Sequence, residues 1–145
     1  MPSHTVLVVE DFEEFRLSIC LTIREKTHCQ IIGEASDGLE AVRKAEELQP
    51  DLILLDIGLP DLNGFDVARR IRVCSSDSKI LFVSQHSDPE MVQAALRLGG
   101  HGYLLKSDAA ELPIAIKRIF EGRQFLSNRL KIPSLGLEGQ PVNRP

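Results

Sequence analysis

The sequence has few cysteines and no long hydrophobic run, and each shortage excludes a class of protein. Its three cysteines, Cys20, Cys29 and Cys74, are an odd number without a CxxC pair, so neither a disulfide framework nor a zinc site is expected. No apolar run approaches the ~20 residues of a membrane helix, and the first residues lack the charged segment and cleavage site of a secretory signal. We therefore predict a cytoplasmic protein with no membrane segment.

Positive charge is not in excess either. The chain has 17 Lys and Arg against 21 Asp and Glu, a net charge of −4, which gives no electrostatic reason to expect direct nucleic-acid binding. If the protein serves DNA, we expect it to do so indirectly. The 145 residues, 43% of them hydrophobic, suit one globular domain with a single core.

Apolar runs of four to six residues alternate with segments of helical period, which is typical of an α/β fold with a parallel sheet. Most of these runs lack polar alternation, as do strands covered on both faces. We predict a flavodoxin-like, doubly wound, five-stranded parallel sheet in the order 2-1-3-4-5, with five helices. The predicted strands are 5–10, 30–35, 52–56, 79–84 and 102–105, and the predicted helices are about 13–26, 38–48, 64–74, 89–98 and 109–121.

The regular pattern stops after Gly122. The residues that follow include Pro133, Pro141 and Pro145 and show no sustained period, which is typical of a linker or tail. We therefore predict one domain over residues 1–126 and a tail or truncated linker over residues 127–145.

Polar residues gather where the predicted strands end, the edge of an open α/β sheet at which ligands bind. Carboxylates that meet there need a cation, and Mg²⁺ is a hard metal that takes one or two carboxylates together with waters. An ammonium group and a hydroxyl beside them would stabilise a phosphoryl group. The set predicts phosphorylation of Asp56 itself, and its members are Glu10 and Asp11 after the first strand, Asp56 on the third, Ser84 on the fourth and Lys106 after the fifth.

Each member alone has a simpler interpretation. Acidic residues often follow buried strands because loops are polar, a lone lysine is usually solvated, and a strand-end serine commonly bonds to backbone. Asp56 alone would be an N-cap or an ordinary turn residue, although Asp61 and Asn63 are better placed for capping or turn formation. The joint pattern outweighs these interpretations, because neighbouring strands each supply a residue type that the same reaction needs.

Four motifs together resemble the receiver domain of two-component response regulators. They are the acidic VLVVED, the phosphoacceptor segment DLILLDIGLPDLNGFDVARRIR, the hydroxyl-bearing ILFVSQHS and the lysine-bearing GGHGYLLKS, and the resemblance covers about residues 4–126. It implies phosphotransfer to Asp56 from a sensor histidine kinase or a phosphotransfer protein. The protein would then be a signalling switch that catalyses its own phosphotransfer and dephosphorylation, rather than an enzyme.

The resemblance also implies roles for individual residues. Mg²⁺ would be held by Asp11, Asp56 and the backbone carbonyl of Gly58, with Glu10 acting through water. The residues that contact the phosphoryl group or change with it would be Ser84, Lys106 and Tyr103.

Three positions depart from the usual family pattern. Gln85 stands where the family usually has a small residue, Gly58 lacks the longer side chain often found there, and Ser107 replaces the usual proline. We expect Gln85 to narrow access to Asp56 and Gly58 to widen it, with His86 a neighbour of the phosphate. These residues would modulate the lifetime of the phosphorylated state.

The main alternative is a pseudo-receiver that serves as a protein-interaction module without phosphorylation, although the presence of Asp56 and Lys106 argues against it. A flavin-binding protein is disfavoured because the acidic EDFEEF after the first strand would repel a flavin phosphate. An aspartyl-nucleophile phosphatase is disfavoured because Gly58 stands in place of its second aspartate.

The segment EGRQFLSNRL resembles the exit from receivers that precede a helix-turn-helix output domain. It implies control of transcription, with DNA bound only through such a domain. Whether the chain is a stand-alone receiver or a fragment, and whether it forms a homodimer on phosphorylation, stays open at this point.

Overall fold

The computed structural model describes residues 3–130, and within them strands alternate with helices. Every predicted strand and helix is found, with ends that agree to within three residues. The strands are β1 (Thr5–Val9), β2 (Gln30–Ala35), β3 (Leu52–Asp56), β4 (Lys79–Ser84), β5 (Gly102–Leu105) and β6 (Phe125–Leu126). The α-helices are α1 (Glu13–Lys26), α2 (Gly38–Leu48), α3 (Gly64–Cys74), α4 (Pro89–Arg97) and α5 (Leu112–Phe120), and short 3₁₀ helices cover Lys106–Glu111 and Asn128–Leu130.

The strands form one parallel sheet in the order β2-β1-β3-β4-β5-β6. The predicted order 2-1-3-4-5 is confirmed. The described part of the chain adds a sixth strand that the prediction did not include: Phe125 and Leu126 pair with Gly102 and Tyr103 of β5. The sequence pattern missed it because a strand of two residues is too short to show any period.

Strand β3 is buried along its whole length, Asp56 included. Successive side chains of a strand point to opposite faces of the sheet. Ile53 and Leu55 accordingly pack with residues of α2, α3 and α4, whereas Leu52 and Leu54 pack with residues of α1 and α5. Helices therefore cover both faces of the sheet, as the unbroken apolar run of β3 predicted, and the packing holds the strand that ends in Asp56 rigidly.

Side-chain caps and a proline set where several helices begin. The Asp37 side chain accepts a hydrogen bond from the Glu40 N–H at the start of α2, and Asn63 caps α3 in the same way. Helix α5 begins at Leu112 rather than at about residue 109. The residues before it form the 3₁₀ helix, and Pro113 in the first turn of α5 suits a helix start.

Residues 127–130 pack against the end of β5 and the 3₁₀ helix that follows it. The Ser127 Oγ accepts a hydrogen bond of 2.8 Å from the Leu105 N–H, the Arg129 Nε lies 2.9 Å from Asp108 Oδ1, and Leu130 is buried. The rest of the predicted tail, residues 131–145, lies outside the described residues, so the domain boundary stays a prediction. Within residues 3–130 no helix has the length and apolar character needed to cross a membrane.

Candidate functional site

Three carboxylates meet at the carboxyl end of the sheet. Glu10, Asp11 and Asp56 each offer an oxygen, and these oxygens lie within 4.8 Å of one another. The Lys106 Nζ lies 3.0 Å from Glu10 Oε1 and 3.4 Å from Asp56 Oδ2. The structure thus brings together the acidic residues and the lysine that the sequence placed at the carboxyl ends of three different strands.

The parallel sheet explains why these side chains converge. Strands β1 and β3 are neighbours, and Val9 lies opposite Leu55. Glu10 directly follows Val9, and Asp56 directly follows Leu55. The two carboxylates therefore lie side by side at the same edge of the sheet. The Arg16 Nη1 donates a 2.8 Å hydrogen bond to the Glu10 carbonyl, which fixes the backbone at the end of β1.

Burial and mutual repulsion make this cluster electrostatically costly. Glu10 is 1% exposed and Asp56 is 4% exposed. Burial, followed by the charge of Asp56, raises the pKa of Glu10 to about 7. Burial also raises the pKa of Asp56, against the opposing effects of the Gly58 N–H and of Lys106. One ammonium group therefore does not compensate fully for the carboxylates around it.

The donor set fits a hard divalent cation such as Mg²⁺, which prefers carboxylate and carbonyl oxygens. Glu10 Oε1 is buried and accepts no well-directed hydrogen bond, although the Lys106 ammonium is close to it. Asp11 is exposed and lines the cavity above Asp56, so it faces the side from which a hydrated cation would enter. Gly58 lines the same cavity, and its N–H donates a 3.0 Å hydrogen bond to Asp56 Oδ1.

A cavity of about 630 Å³ opens from Asp56 to solvent. The predicted access residues Gly58, Gln85 and His86 all line it. A Cβ placed on Gly58 would meet Asp56 Oδ1 at 4.0 Å, an ordinary contact. The absence of a side chain there therefore leaves open space next to the Asp56 carboxylate.

Two of the predicted switch residues, Ser84 and Tyr103, share a backbone partner, His86, which lines the cavity. The Ser84 Oγ accepts a 2.9 Å hydrogen bond from the His86 N–H, and the Tyr103 hydroxyl donates a 2.8 Å hydrogen bond to the His86 carbonyl. Tyr103 is fully buried, and burial raises the pKa of its hydroxyl. Ser84 and Tyr103 thus both bind the backbone of the segment that leads from β4 to α4.

Sequence reasoning assigned no role to two aromatic residues of the cavity wall. Phe12 is 57% exposed at the rim, and Phe15 lies under the Lys106 ammonium, with 5.1 Å between Nζ and the ring centroid. Their place just after the acidic pair, where α1 begins, is the signal that could have identified them. The ring of Phe15 adds a cation–π contact that helps to hold Lys106 near the carboxylates.

Comparisons with known proteins point to one family. The family model "Response regulator receiver domain" matches residues 6–117. The transcriptional regulatory protein LiaR of Bacillus subtilis is 35% identical over 126 residues, which are 86% of this chain and 60% of LiaR. The nitrate/nitrite response regulator protein NarL of Escherichia coli is 34% identical over 127 residues, which are 87% of this chain and 59% of NarL. The chain thus spans about three fifths of the length of these curated relatives.

Solved structures show the same fold. A two-component response regulator of the LuxR family from Aurantimonas sp. superposes with a TM-score of 0.84 at 30% identity and covers 89% of this chain and 93% of its own. The response regulator domain of Thermotoga maritima CheB gives a TM-score of 0.76 at 30% identity, over 83% of this chain and 98% of its own. With the acidic site, the sheet order and these matches in agreement, the chain belongs to the response regulator receiver domain family.

Proposed function

We propose that this domain is a phosphorylation-activated switch in which Asp56 accepts a phosphoryl group in a Mg²⁺-dependent reaction. The donor would be the phosphohistidine of a sensor histidine kinase or of a phosphotransfer protein. The observation that carries the proposal is the Asp56 carboxylate itself, which is buried at the base of an open cavity between two acidic residues and Lys106.

The two oxygens of Asp56 are in different environments, which suits a nucleophile. Oδ1 accepts the Gly58 N–H, whereas Oδ2 lies near the Lys106 ammonium. An Asp56 oxygen would bond to phosphorus while the bond from phosphorus to the histidine nitrogen breaks and the imidazole leaves with the electron pair. Lys106 would then neutralise an oxygen of the transferred group.

The acidic residues would hold the cation that this reaction needs. Asp11, Asp56 and the carbonyl of Gly58 would bind Mg²⁺, with Glu10 acting through water. When bound, Mg²⁺ supplies positive charge to the phosphoryl oxygens during transfer. Glu10 also holds Lys106 near Asp56 through their ion pair.

The conformational change on phosphorylation would be transmitted to the surface through Ser84 and Tyr103. The added charge of nearly two units favours an arrangement in which the Ser84 hydroxyl and Lys106 point to the phosphoryl group. Because Ser84 and Tyr103 both hold His86, a change in Ser84 would move the segment before α4. Shifting the population from about 1:99 to 99:1 needs a differential of ~5.5 kcal/mol from these contacts.

Labelling by a small phosphodonor tests the proposal. The protein is incubated with acetyl phosphate, with and without Mg²⁺, and phosphoprotein is separated on a phosphate-affinity gel. We expect Mg²⁺-dependent labelling of the wild type and none of Asp56→Asn. The control is Asp51→Asn, the same change at the opposite end of β3, which should label normally. Labelling of Asp56→Asn would contradict the site, and an unlabelled wild type would favour the pseudo-receiver.

We further propose that the switch controls transcription and acts in the cytoplasm. LiaR is named as a transcriptional regulatory protein, and the acidic net charge of this chain favours DNA contact through an output domain rather than through the receiver. Homodimerisation on phosphorylation is checked by size-exclusion chromatography before and after treatment with acetyl phosphate and Mg²⁺.

A further inference from the structure

The loop between β3 and α3 caps helix α2, which lies before β3 in the chain. The carboxylate of Asp61 accepts hydrogen bonds from the backbone N–H groups of Gly38, at 2.6 Å, and Leu39, at 3.0 Å. These are the first residues of α2, where helix N–H groups have no partner within the helix. Helix α2 also has its own cap, since Asp37 accepts from the Glu40 N–H at 2.8 Å. It therefore has two caps, one local and one from the loop.

The backbone at Gly38 is shaped for this contact. A Cβ at Gly38 would lie 2.8 Å from the Leu62 Cβ and 2.9 Å from the Val67 Cγ2, closer than real Cβ contacts allow. It would also lie 3.1 Å from Asp61 Oδ1. The missing side chain lets the loop approach the start of α2 closely enough for Asp61 to bond to it. The N–H of Gly38 is also the main cause that lowers the pKa of Asp61, as expected for an ionised cap.

The same loop begins at the phosphoacceptor. It leaves β3 at Asp56 and passes through Gly58, whose N–H bonds to the Asp56 carboxylate. Its far end is tied back by a 2.8 Å hydrogen bond from the Gly64 N–H to the Ile57 carbonyl. Asp61 lies between these two ties and fastens the loop to a neighbouring helix. Loss of the Asp61 contacts would therefore alter the position of the loop at Gly58, three residues before it.

We propose that Asp61 is a positioning residue for the phosphoacceptor site, which it orders by capping α2 across the fold. By holding the loop, the cap would keep the Gly58 carbonyl available as a cation ligand, and it would thereby set the Mg²⁺ affinity and, with it, the phosphorylation rate. The inference rests on the proposed function for its second half. Its first half, the effect on Mg²⁺ binding, is measured without any phosphodonor.

The test compares Asp61→Ala with Asp37→Ala, which removes the local cap from the same helix. Mg²⁺ affinity is measured by calorimetric titration of each full chain, and thermal unfolding is recorded in parallel. Both variants should lower the melting temperature, because each leaves helix N–H groups unpaired. Only Asp61→Ala should weaken Mg²⁺ binding, by about tenfold, the lower end of what partners of metal-binding groups contribute. Asp61→Asn keeps one acceptor oxygen and should lie between the wild type and Asp61→Ala.

Acetyl phosphate then separates positioning from general damage. We expect Asp61→Ala to label slowly at low Mg²⁺ and to regain the wild-type rate when Mg²⁺ is saturating, whereas Asp37→Ala labels normally at both. Unchanged Mg²⁺ affinity in Asp61→Ala, or an equal loss in Asp37→Ala, would overturn the inference. If Asp61→Ala does not fold, wild-type affinity in Asp61→Asn overturns it instead. A wild type that binds Mg²⁺ but is never labelled would contradict the proposed function alone.

Discussion

The two ends of the sheet differ in how well their polar side chains are paired. At the amino end, Asp51 Oδ2 accepts hydrogen bonds from the Thr5 N–H, at 2.8 Å, and the Thr5 hydroxyl. The Ser78 Oγ bonds to the Pro50 carbonyl and the Ser75 hydroxyl, so these buried groups are paired. At the carboxyl end, carboxylates crowd around Asp56 and share one ammonium group.

The difference separates residues that stabilise the fold from residues that make a site. Paired polar groups at the amino end contribute to stability and have no chemistry left to perform. The carboxyl end retains uncompensated charge, which costs stability in the free protein and is relieved when a cation binds. We infer that the carboxyl end gives up stability to form the site, whereas the polar groups described above at the amino end are paired.

The largest effect is expected from removing the ammonium group of Lys106, which pairs with the carboxylates of Glu10 and Asp56. Lys106→Met leaves Glu10 and Asp56 facing each other, and we expect a loss of about 3 kcal/mol in the free energy of unfolding without Mg²⁺. Mg²⁺ should restore part of the loss. Arg43→Met, which breaks the exposed pair of Arg43 with Glu47, should change stability by no more than about 0.5 kcal/mol. Urea unfolding measures both, and equal losses would refute the comparison.

A smaller effect on stability is expected from lowering the pH, through His101 at the amino end of the sheet. The Nδ1 of His101 accepts a hydrogen bond from the Ile80 N–H, and burial, with the charges of Lys79 and Arg72, lowers the pKa of His101 from 6.5. The folded state thus favours the neutral ring. Its contribution is complete above pH 6.5 and is lost as the pH falls through the lowered pKa.

Urea unfolding at several pH values checks this sign. Between about pH 7.5 and about pH 5.5, the wild type should lose more stability than His101→Gln, which cannot titrate there. His28→Gln, at an exposed histidine, should follow the wild type. Parallel pH profiles of the wild type and His101→Gln would show that the His101 ring does not act as described.

The smallest effect is expected at the rim of the cavity. Gln85 lines the opening above Asp56, so Gln85→Ala should admit water more easily and speed phosphoryl loss about threefold, less than 1 kcal/mol of barrier. Decay of labelled protein after removal of acetyl phosphate gives the rate. Ser76→Ala, at an exposed serine of the amino end, is the control. An unchanged rate in Gln85→Ala would remove the access role of that residue.

The sequence predicted those parts of the fold and site that depend on local pattern. The apolar run before Asp56 indicated a buried strand, and parallel strands bring their carboxyl ends together whatever their loops do, so the acidic cluster could be foreseen. Asn63 was expected to cap or turn, and it caps α3. These predictions depend on neighbours in sequence or on a general rule of sheet geometry.

Features that arise from contacts between distant segments could not be foreseen. Asp61 was expected to cap a helix or form a turn, but the sequence did not show that the helix it caps is α2, more than twenty residues earlier in the chain. Strand β6 forms by pairing with the edge strand β5, and two residues are too few to show a period in the sequence. The start of α5 is displaced because the chain after Lys106 forms a 3₁₀ helix first. In the first two cases a contact between distant segments, rather than local propensity, decides the outcome.

The most direct test of the central claim compares Asp56→Asn with Ser78→Ala in urea unfolding without Mg²⁺. Asp56→Asn removes a buried charge that Lys106 compensates only in part, and it should raise the free energy of unfolding on the order of 1 kcal/mol. Ser78→Ala leaves the buried Pro50 carbonyl without its partner and should lower it by about 2 kcal/mol. Adding Mg²⁺ should stabilise the wild type more than Asp56→Asn. A loss of stability in Asp56→Asn, of the same sign as in Ser78→Ala, would contradict the account.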